Sequence, residues 1–526
     1  MSVFRKKRSD ATPRQGDYDD FLETVITYTE PVLRLCHFAF KQEHNPDFPC
    51  RDYLGHLHRD ASTLQELLDL HGAQTNRMWF PFRESIAAAK NFSSVTYDVL
   101  HVRQAIHRYQ LLDSQEEFAD KTDNVLSALR DVVFSVAGTI IDQTQLCGVH
   151  PEEVDDNFAP CIAAPLDFRL PTDREVRHVD RIGEQIVYLA TQFLNLSEDA
   201  DVRAVLAERE GDEYQGCIPY PISEERMRTV EARFHNLQSL YDTYIFESDL
   251  EQQNEQIRYL RGHISIIYHL LSIGTDLVHY YIRHMSSLRR ETYREMRFPM
   301  DPERLRDNVF EYPLRYAREY MESAVQLCRS MIQAYSEQAE ITVPIPNYRG
   351  FHVRPSTLVA RIVLHYGSKV TMHMDDQEYD ASAPMDLFRA NEAINRIKRR
   401  RIAAMLSKLP ELQRPIPEDH EELVRELQLV FVRLMNAGQI IMYDTDLSFD
   451  ELNVEQDTTM ADLVARAVRH FMSIAKVDVQ SDITVRFVGD SRALKDLEIL
   501  AKHGYGEDRM GNNVVLPNEL SYLSRG

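Results

Sequence analysis

From about residue 15 to residue 338 the apolar positions of this chain recur at helical spacing, and from about 340 the period changes. Phe21, Val25, Tyr28, Val32 and Leu35 step along one face of a first helix, and similar faces recur in 82–112 and 114–143. Residues three and four apart share a side of a helix, so a stripe of this kind predicts a helix with one buried face. The stretch 144–172, with Gly148, Pro151, Pro160, Pro165 and Pro171, breaks the pattern and reads as a connector. Helical spacing resumes over 173–196, continues through 222–250 and 253–289, and ends with 302–338. Tyr259, Leu260, Ile264, Ile267 and Leu271 form a core stripe, part of which can also serve as an interface between copies of the chain. The N-terminal two thirds therefore read as all-α, one bundle or two packed bundles.

After 340 the texture is mixed. Ile341–Ile345 is a short β-type run, and a loop then leads to a helix carrying Leu358, Val359, Ile362, Val363 and Tyr366 up to a stop at Gly367. Val370, Met372 and Met374 alternate with Lys369, Thr371 and His373, as in a half-buried strand. Glu378–Ala381 can return beside it after the turn Asp375-Asp376-Gln377. Much later Ile483, Val485 and Phe487 alternate with Thr484 and Arg486, and Gly489-Asp490-Ser491 opens a last helix with Leu494, Leu497 and Leu500 on one face. The predicted order is strand, helix, strand, strand, a long interval, strand, helix.

These patterns predict a multidomain chain, as its 526 residues also require. Residues 1–14 form a disordered tail, 15–145 a helical domain, 146–172 a linker, and 173–339 a second helical domain or the other half of the bundle. An α/β domain spans 340–390 and 480–508, a largely helical insertion covers 391–479, and 509–526 is a tail.

Composition narrows the function classes. A net charge of −23 argues against broad binding to nucleic acid or to an anionic membrane. Cys36, Cys50, Cys147, Cys161, Cys217 and Cys328 are scattered without a C-x-x-C pair, which fits reduced thiols in a cytoplasmic protein. The basic start MSVFRKKRSD is followed by no apolar segment of the secretory type. The most apolar runs, such as Val132–Ile141 and Ile264–Ile273, are too short or too interrupted to span a bilayer. There is no G-x-x-x-x-G-K-[ST] and no G-x-G-x-x-G, so no nucleotide site and no cofactor is expected.

The chemistry concentrates in Gly350-Phe351-His352-Val353-Arg354-Pro355-Ser356. Pro355 suits a first helical turn, where its missing N–H would have had no partner. His352 would then stand beside free backbone N–H groups and the positive end of a helix dipole, which stabilise an anion. Arg354 can grip two phosphate oxygens at once, and a neutral imidazole is a good phosphoryl acceptor near neutral pH. Ser356 and Thr357 are helix-start residues whose hydroxyls can join the phosphate shell.

That loop, GFHVRPS, resembles the active-site loop of HPr, the histidine-containing phosphocarrier of the bacterial phosphotransferase system, usually written GLHARPA. Tyr366–Thr371 fits that family's second strand, and ITVRFVGD (483–490) with Gly504-Tyr505-Gly506-Glu507 resembles its fourth strand and C-terminal helix. The resemblance covers about 340–390 and 480–508. It implies an open-faced α/β sandwich with an antiparallel sheet, a phosphoryl group carried on Nδ1 of His352, and neutralisation by Arg354. It further implies a phosphodonor protein of the enzyme I type and an acceptor protein. The chain is then a participant in phosphotransfer rather than an independent enzyme, with the helical part recognising a partner. The alternative is an interaction scaffold in which the HPr-like fold docks without phosphate chemistry.

Three departures from the family bear on this. A large insertion interrupts the domain, so that the fold's second helix is either Met385–Ile397 or Val464–Ala475. The regulatory serine of some HPr proteins falls at Ala383, with Ser382 beside it. The apolar docking patch becomes Pro384, Met385 and Phe388, flanked by Asp386 and Arg389.

Other candidates carry bland readings. Arg396–Arg401 is a dense basic run that can meet an acidic or phosphorylated partner, or can be a solvated helix face balanced by Glu418, Asp419, Glu421 and Glu422. His263, His269, His279 and His284 cluster, but no Glu-x-x-His accompanies them, so they are read as core or interface residues and no metal site is expected. His56 and His58 are read as surface residues.

Overall fold

A computed structural model describes residues 15–112, 115–150, 178, 181–207, 222–285, 300–449 and 459–524. The expected tail 1–14 and most of the connector 146–172 lie outside these residues. The chain divides into two compact units, Met1–Gln185 with Gln192–Cys328, and Ile186–Thr191 with Arg329–Gly526.

The first unit is helical among its described residues. Its helices are α1 (Gln15–Lys41), α2 (Arg51–Leu70), α3 (Phe80–Ala105), α4 (Gln115–Leu146), α5 (Ile182–Ser197, shared with the second unit), α6 (Ala200–Leu206), α7 (Glu224–Tyr244), α8 (Asp249–Gln253), α9 (Glu255–Tyr280) and α10 (Pro302–Val309). Helix α3 packs against α2, α4 and α9, and is buried nearly all round. Its small residues Ala87, Ala88, Ala89 and Ser93 allow that close approach, and its buried Thr96 hydroxyl donates back to Phe92 O at 2.5 Å, so that this hydroxyl is not orphaned. Asn254 caps α9 by accepting from Ile257 N–H at 3.1 Å.

Two sequence expectations change. The stretch 302–338 is not one helix: a π-helical turn, Phe310–Leu314, interrupts it at Pro313, which has no N–H to give to the preceding turn, and α11 (Arg315–Tyr335) follows. By length and composition alone, Glu116–Leu146 is long and apolar enough to cross a membrane. In this unit α4 packs against α1 and α3 and buries Leu129, Val132, Val136 and Ile140. The four described cysteines, Cys36, Cys50, Cys147 and Cys328, are free.

The second unit holds a four-stranded antiparallel sheet in the order β1-β6-β2-β3, from β1 (Gln338–Pro344), β2 (Val370–Met374), β3 (Gln377–Asp380) and β6 (Thr484–Asp490). Met372 stands opposite both Phe487 and Tyr379 in the register. Helices α12 (Val353–Tyr366), α13 (Pro384–Leu406) and α16 (Ser491–Lys502) share a core with the sheet: Val359, Ile362, Leu387, Ala390, Ile394, Leu494, Leu497 and Leu500 against Val343, Val370, Met372, Val485 and Phe487. The alternate side chains Thr484 and Arg486 of β6 are exposed, which is the period-two pattern of a sheet with one covered face.

A second core lies in the same unit. It gathers Ile402 and Leu406 of α13, Leu427 and Phe431 of α14 (His420–Asn436), and Leu463, Val468 and Phe471 of α15 (Met460–Ser473). Residues of the small two-stranded sheet β4 (Ile440–Met442) and β5 (Val477–Val479) complete it. Thr459 and Asp462 start α15 with a reciprocal capping box. Helix α13 thus serves both cores, and the expected insertion boundary at 391 falls inside it. The sheet core keeps α13 through Ile394, with Ile397 packed against it, and the second core begins at Ile402. Of the two candidates for a second helix over the sheet, 385–397 packs there, whereas 464–473 belongs to the second core. Residues 509–524, expected as a tail, pack on the sheet core. Leu520 and Leu523 are buried in the sheet core, Arg361 donates to Leu523 O at 2.9 Å, and Tyr522 stacks on His365 at 4.0 Å between ring centroids.

Candidate functional site

His352 is the N-cap of α12, in extended backbone (φ −82°, ψ −167°), and its carbonyl accepts the first helical bond from Ser356 N–H at 3.1 Å. Val353 and Arg354 occupy the first turn, where helix geometry gives backbone N–H groups no partner within the helix. The loop before it is clamped from α13. Asn391 Oδ1 accepts from Phe351 N–H at 3.0 Å, and Asn391 Nδ2 donates to Arg349 O at 3.1 Å. Gly350 has φ +62°, and a side chain at this position would run into Asn391. Phe351 is fully buried, edge-on to Tyr505.

The imidazole is about one fifth exposed, and both ring nitrogens face oxygens. Nδ1 is 3.1 Å from Gly350 O, and Nε2 is 3.1 Å from Oε2 of Glu507, whose side chain is only 7% exposed. The contact with Glu507 does not meet hydrogen-bond geometry, so Oε2 has a close polar neighbour but no hydrogen bond. Tyr348 stands edge-on to the ring at 5.3 Å and in turn meets Tyr443, which follows β4, at 4.8 Å. One side of the histidine is therefore walled by aromatic rings that reach from the loop into the second core's neighbourhood.

The other expected site residues divide. Arg354 is half-buried beside Gly506, and its Nε lacks a hydrogen-bond partner. Ser356 is fully buried and its hydroxyl donates to Phe351 O at 3.0 Å, while that of Thr357 donates to Val353 O at 2.7 Å. Both hydroxyls are thus committed to backbone in this arrangement and hold the helix start rather than line the ring. Met385 is 67% exposed and Phe388 half-buried at the start of α13, with Asp380 N–H donating to Asp386 Oδ2 at 3.2 Å. Glu507, absent from the sequence-derived site, is the closest carboxylate contact of His352 described, and its only sequence signal was its place directly after Gly504-Tyr505-Gly506.

The basic run on α13 is not one surface. Lys398 is buried on Asp478 at 2.8 Å, Arg401 meets Asp482 at 3.0 Å, and Arg399 approaches Glu392 at 3.9 Å. The balancing acids are therefore Asp478, Asp482 and Glu392, not the group 418–422.

In the first unit the clustered histidines have separate partners. His284 Nδ1 lies 2.7 Å from Glu84, which also holds Arg83, and Arg83 grips Asp69 through two bonds of 2.7 and 2.8 Å. His279 meets Glu224 at 2.9 Å. Burial, with His101 alongside, pushes His269 down to about 4. Among the described residues no group of three or more His, Cys, Asp or Glu is arranged to hold a metal ion. Asp98, Asp276 and Glu231 converge from α3, α9 and α7, with Ser94 donating to Asp276 at 2.9 Å. Burial and the Asp276 charge push the Asp98 carboxyl up to about 6.

Compared with protein-family models, curated proteins and solved structures, the chain shows no match.

Proposed function

We propose that the second unit is an HPr-like phosphocarrier module, and that His352 accepts a phosphoryl group and either passes it on or signals through it. One observation carries this reading: His352 caps the N-terminus of α12, with Arg354 and Pro355 in the first turn. That end of a helix offers unpaired N–H groups and positive potential to an anion. The chain order of strand, helix, strand, strand, helix, strand, helix around an antiparallel sheet, with the second core set between α13 and β6, also agrees with what the resemblance to HPr implies.

In the step itself the lone pair of Nδ1 attacks the phosphorus of a phosphorylated donor protein of the enzyme I type. A P–N bond forms while the donor's bond to phosphorus breaks, and that electron pair stays with the donor. Arg354 offsets the charge that arrives. Exposed Val353 and Met385, with Arg389, flank the helix starts and provide a surface for the donor and the acceptor. The helical unit is the partner-recognition part, and the chain works in the bacterial cytoplasm without a cofactor of its own.

The test is incubation of the full chain with phosphoenolpyruvate and a phosphotransferase-system phosphodonor. Acid-labile phosphate is expected on the wild type and absent from His352→Ala. Label that survives in His352→Ala overturns the residue assignment. The scaffold reading draws on the ring's one-fifth exposure and its two oxygen neighbours. It expects no label, with partner binding intact in His352→Ala and lost on substitution of Met385 or Phe388.

A further inference from the structure

The two oxygens that face His352 are unequal. Gly350 O is a neutral carbonyl in hydrogen-bond geometry with Nδ1 at 3.1 Å, whereas Glu507 carries a carboxylate that approaches Nε2 to 3.1 Å without yet making a hydrogen bond. A neutral imidazole keeps one proton, and a charge-assisted hydrogen bond is about twice as strong as a neutral one. We infer that Glu507 is a positioning residue that holds His352 in its Nε2–H form and so leaves the lone pair on Nδ1. The purpose of that arrangement rests on the phosphoacceptor reading; its geometry does not.

Glu507 is suited to the task by how it is held. The chain reverses around it: Val514 N–H donates to Gly506 O at 2.9 Å, Asp508 N–H donates to Asn512 O at 2.9 Å, and Glu507 bridges to Asn513. Its side chain is almost wholly removed from water, and Oε2 has no hydrogen bond. A buried acceptor left in that state is costly, and Nε2 at 3.1 Å is the ring nitrogen placed to donate to it. A buried carboxylate behind an imidazole fixes the tautomer and the ring orientation, as it does for histidines that bind metals. With the proton on Nε2, the lone pairs of Nδ1 and Gly350 O face each other and repel, which favours a ring orientation that opens Nδ1 to a phosphoryl donor. A phosphoryl group on Nδ1 would lie across the ring from Glu507, so the two negative groups need not meet. Arg354 is the competitor. Its unpartnered Nε lies beside Gly506, and a guanidinium that captured Glu507 would release the histidine.

The test reads the ring itself. The full chain is labelled with 15N-histidine, and imidazole 1H–15N correlations are recorded at a pH where the ring is neutral. The His352 signals are those lost in His352→Ala. The wild type is expected to show Nε2 protonated and Nδ1 with the lone pair, Glu507→Gln to move population to the Nδ1–H form, and Glu507→Asp to restore part of the original pattern. Unchanged signals from the other histidines, His365 among them, establish that the variants fold. A wild-type Nδ1–H ring, or one indifferent to Glu507→Gln, overturns the inference. The readout needs no phosphate, so a chain that takes no label yet shows the tautomer shift refutes the phosphoacceptor reading alone.

Discussion

Lys398 Nζ stands 2.8 Å from Asp478 Oδ2 with the two side chains only 2% and 6% exposed, and this pair ties the middle of α13 to β5. A buried charge that loses its partner is left desolvated and uncompensated, at a cost of about 3–5 kcal/mol. Lys398→Met alone and Asp478→Leu alone are expected to destabilise the second unit by that order in chemical unfolding of the full chain. The double variant, with both charges gone, is expected to lie near the wild type. Additive losses in the double variant would show that the ion pair is not what the two residues share.

Asn391 is expected to set the rigidity of the His352 loop. Asn391→Ala strips partners from Phe351 N–H and Arg349 O. Leaving such groups unpaired costs about 1–3 kcal/mol. The measurement is amide exchange, which should quicken at Phe351 and leave β6 unaffected.

Asp98 gives a pH dependence of known sign. Its folded value, about 6, lies above the ordinary 3.8, because burial and Asp276 disfavour the charged form while Ser272 and Arg51 partly offset them. Below about pH 4 the carboxyl is protonated in both states and costs nothing. As pH rises from about 4 to 6 the unfolded chain releases the proton while the folded one still holds it, so stability falls through that window. Asp98→Asn is expected to be more stable than the wild type by about 1–3 kcal/mol at neutral pH, and the two curves should meet below about pH 4. Parallel curves would place the penalty elsewhere.

Leu520→Ala tests whether 509–524 belongs to the sheet core. A leucine buried as this one is loses about 2–5 kcal/mol on truncation, from transfer and cavity terms together. Substituting Val515, which is 90% exposed, should change stability by less than about 0.5 kcal/mol.

Much of the second unit was legible because its signals are local. Alternation at Val370, Met372 and Met374 and the helical stripe from Leu358 to Tyr366 ending at Gly367 each need only a few residues to declare themselves. The course of α13 was hidden by one residue. Its buried positions run Leu387, Ala390, Ile394, Lys398, Ile402 and Leu406, and the lysine in the fourth place looks like part of a basic surface until Asp478 appears beside it. Strands β4 and β5, at three residues each, are too short to show a period. His352 was visible from its neighbours in sequence, but its contact with Glu507 joins distant parts of the chain, and no local pattern encodes such a meeting. Pro313 was the available signal for the break at Phe310–Leu314, set within a stripe that otherwise stayed in phase.

Because one uninterrupted helix belongs to both cores of the second unit, the second core is carried as if on a ruler. At 1.5 Å per residue, Leu406 stands roughly 20 Å along the axis from Asn391, the residue that grips the His352 loop. Anything that binds the far end of α13 is therefore held at a fixed standoff from the imidazole, and lengthening the helix by a turn would move that standoff by about 5 Å while also rotating what it presents.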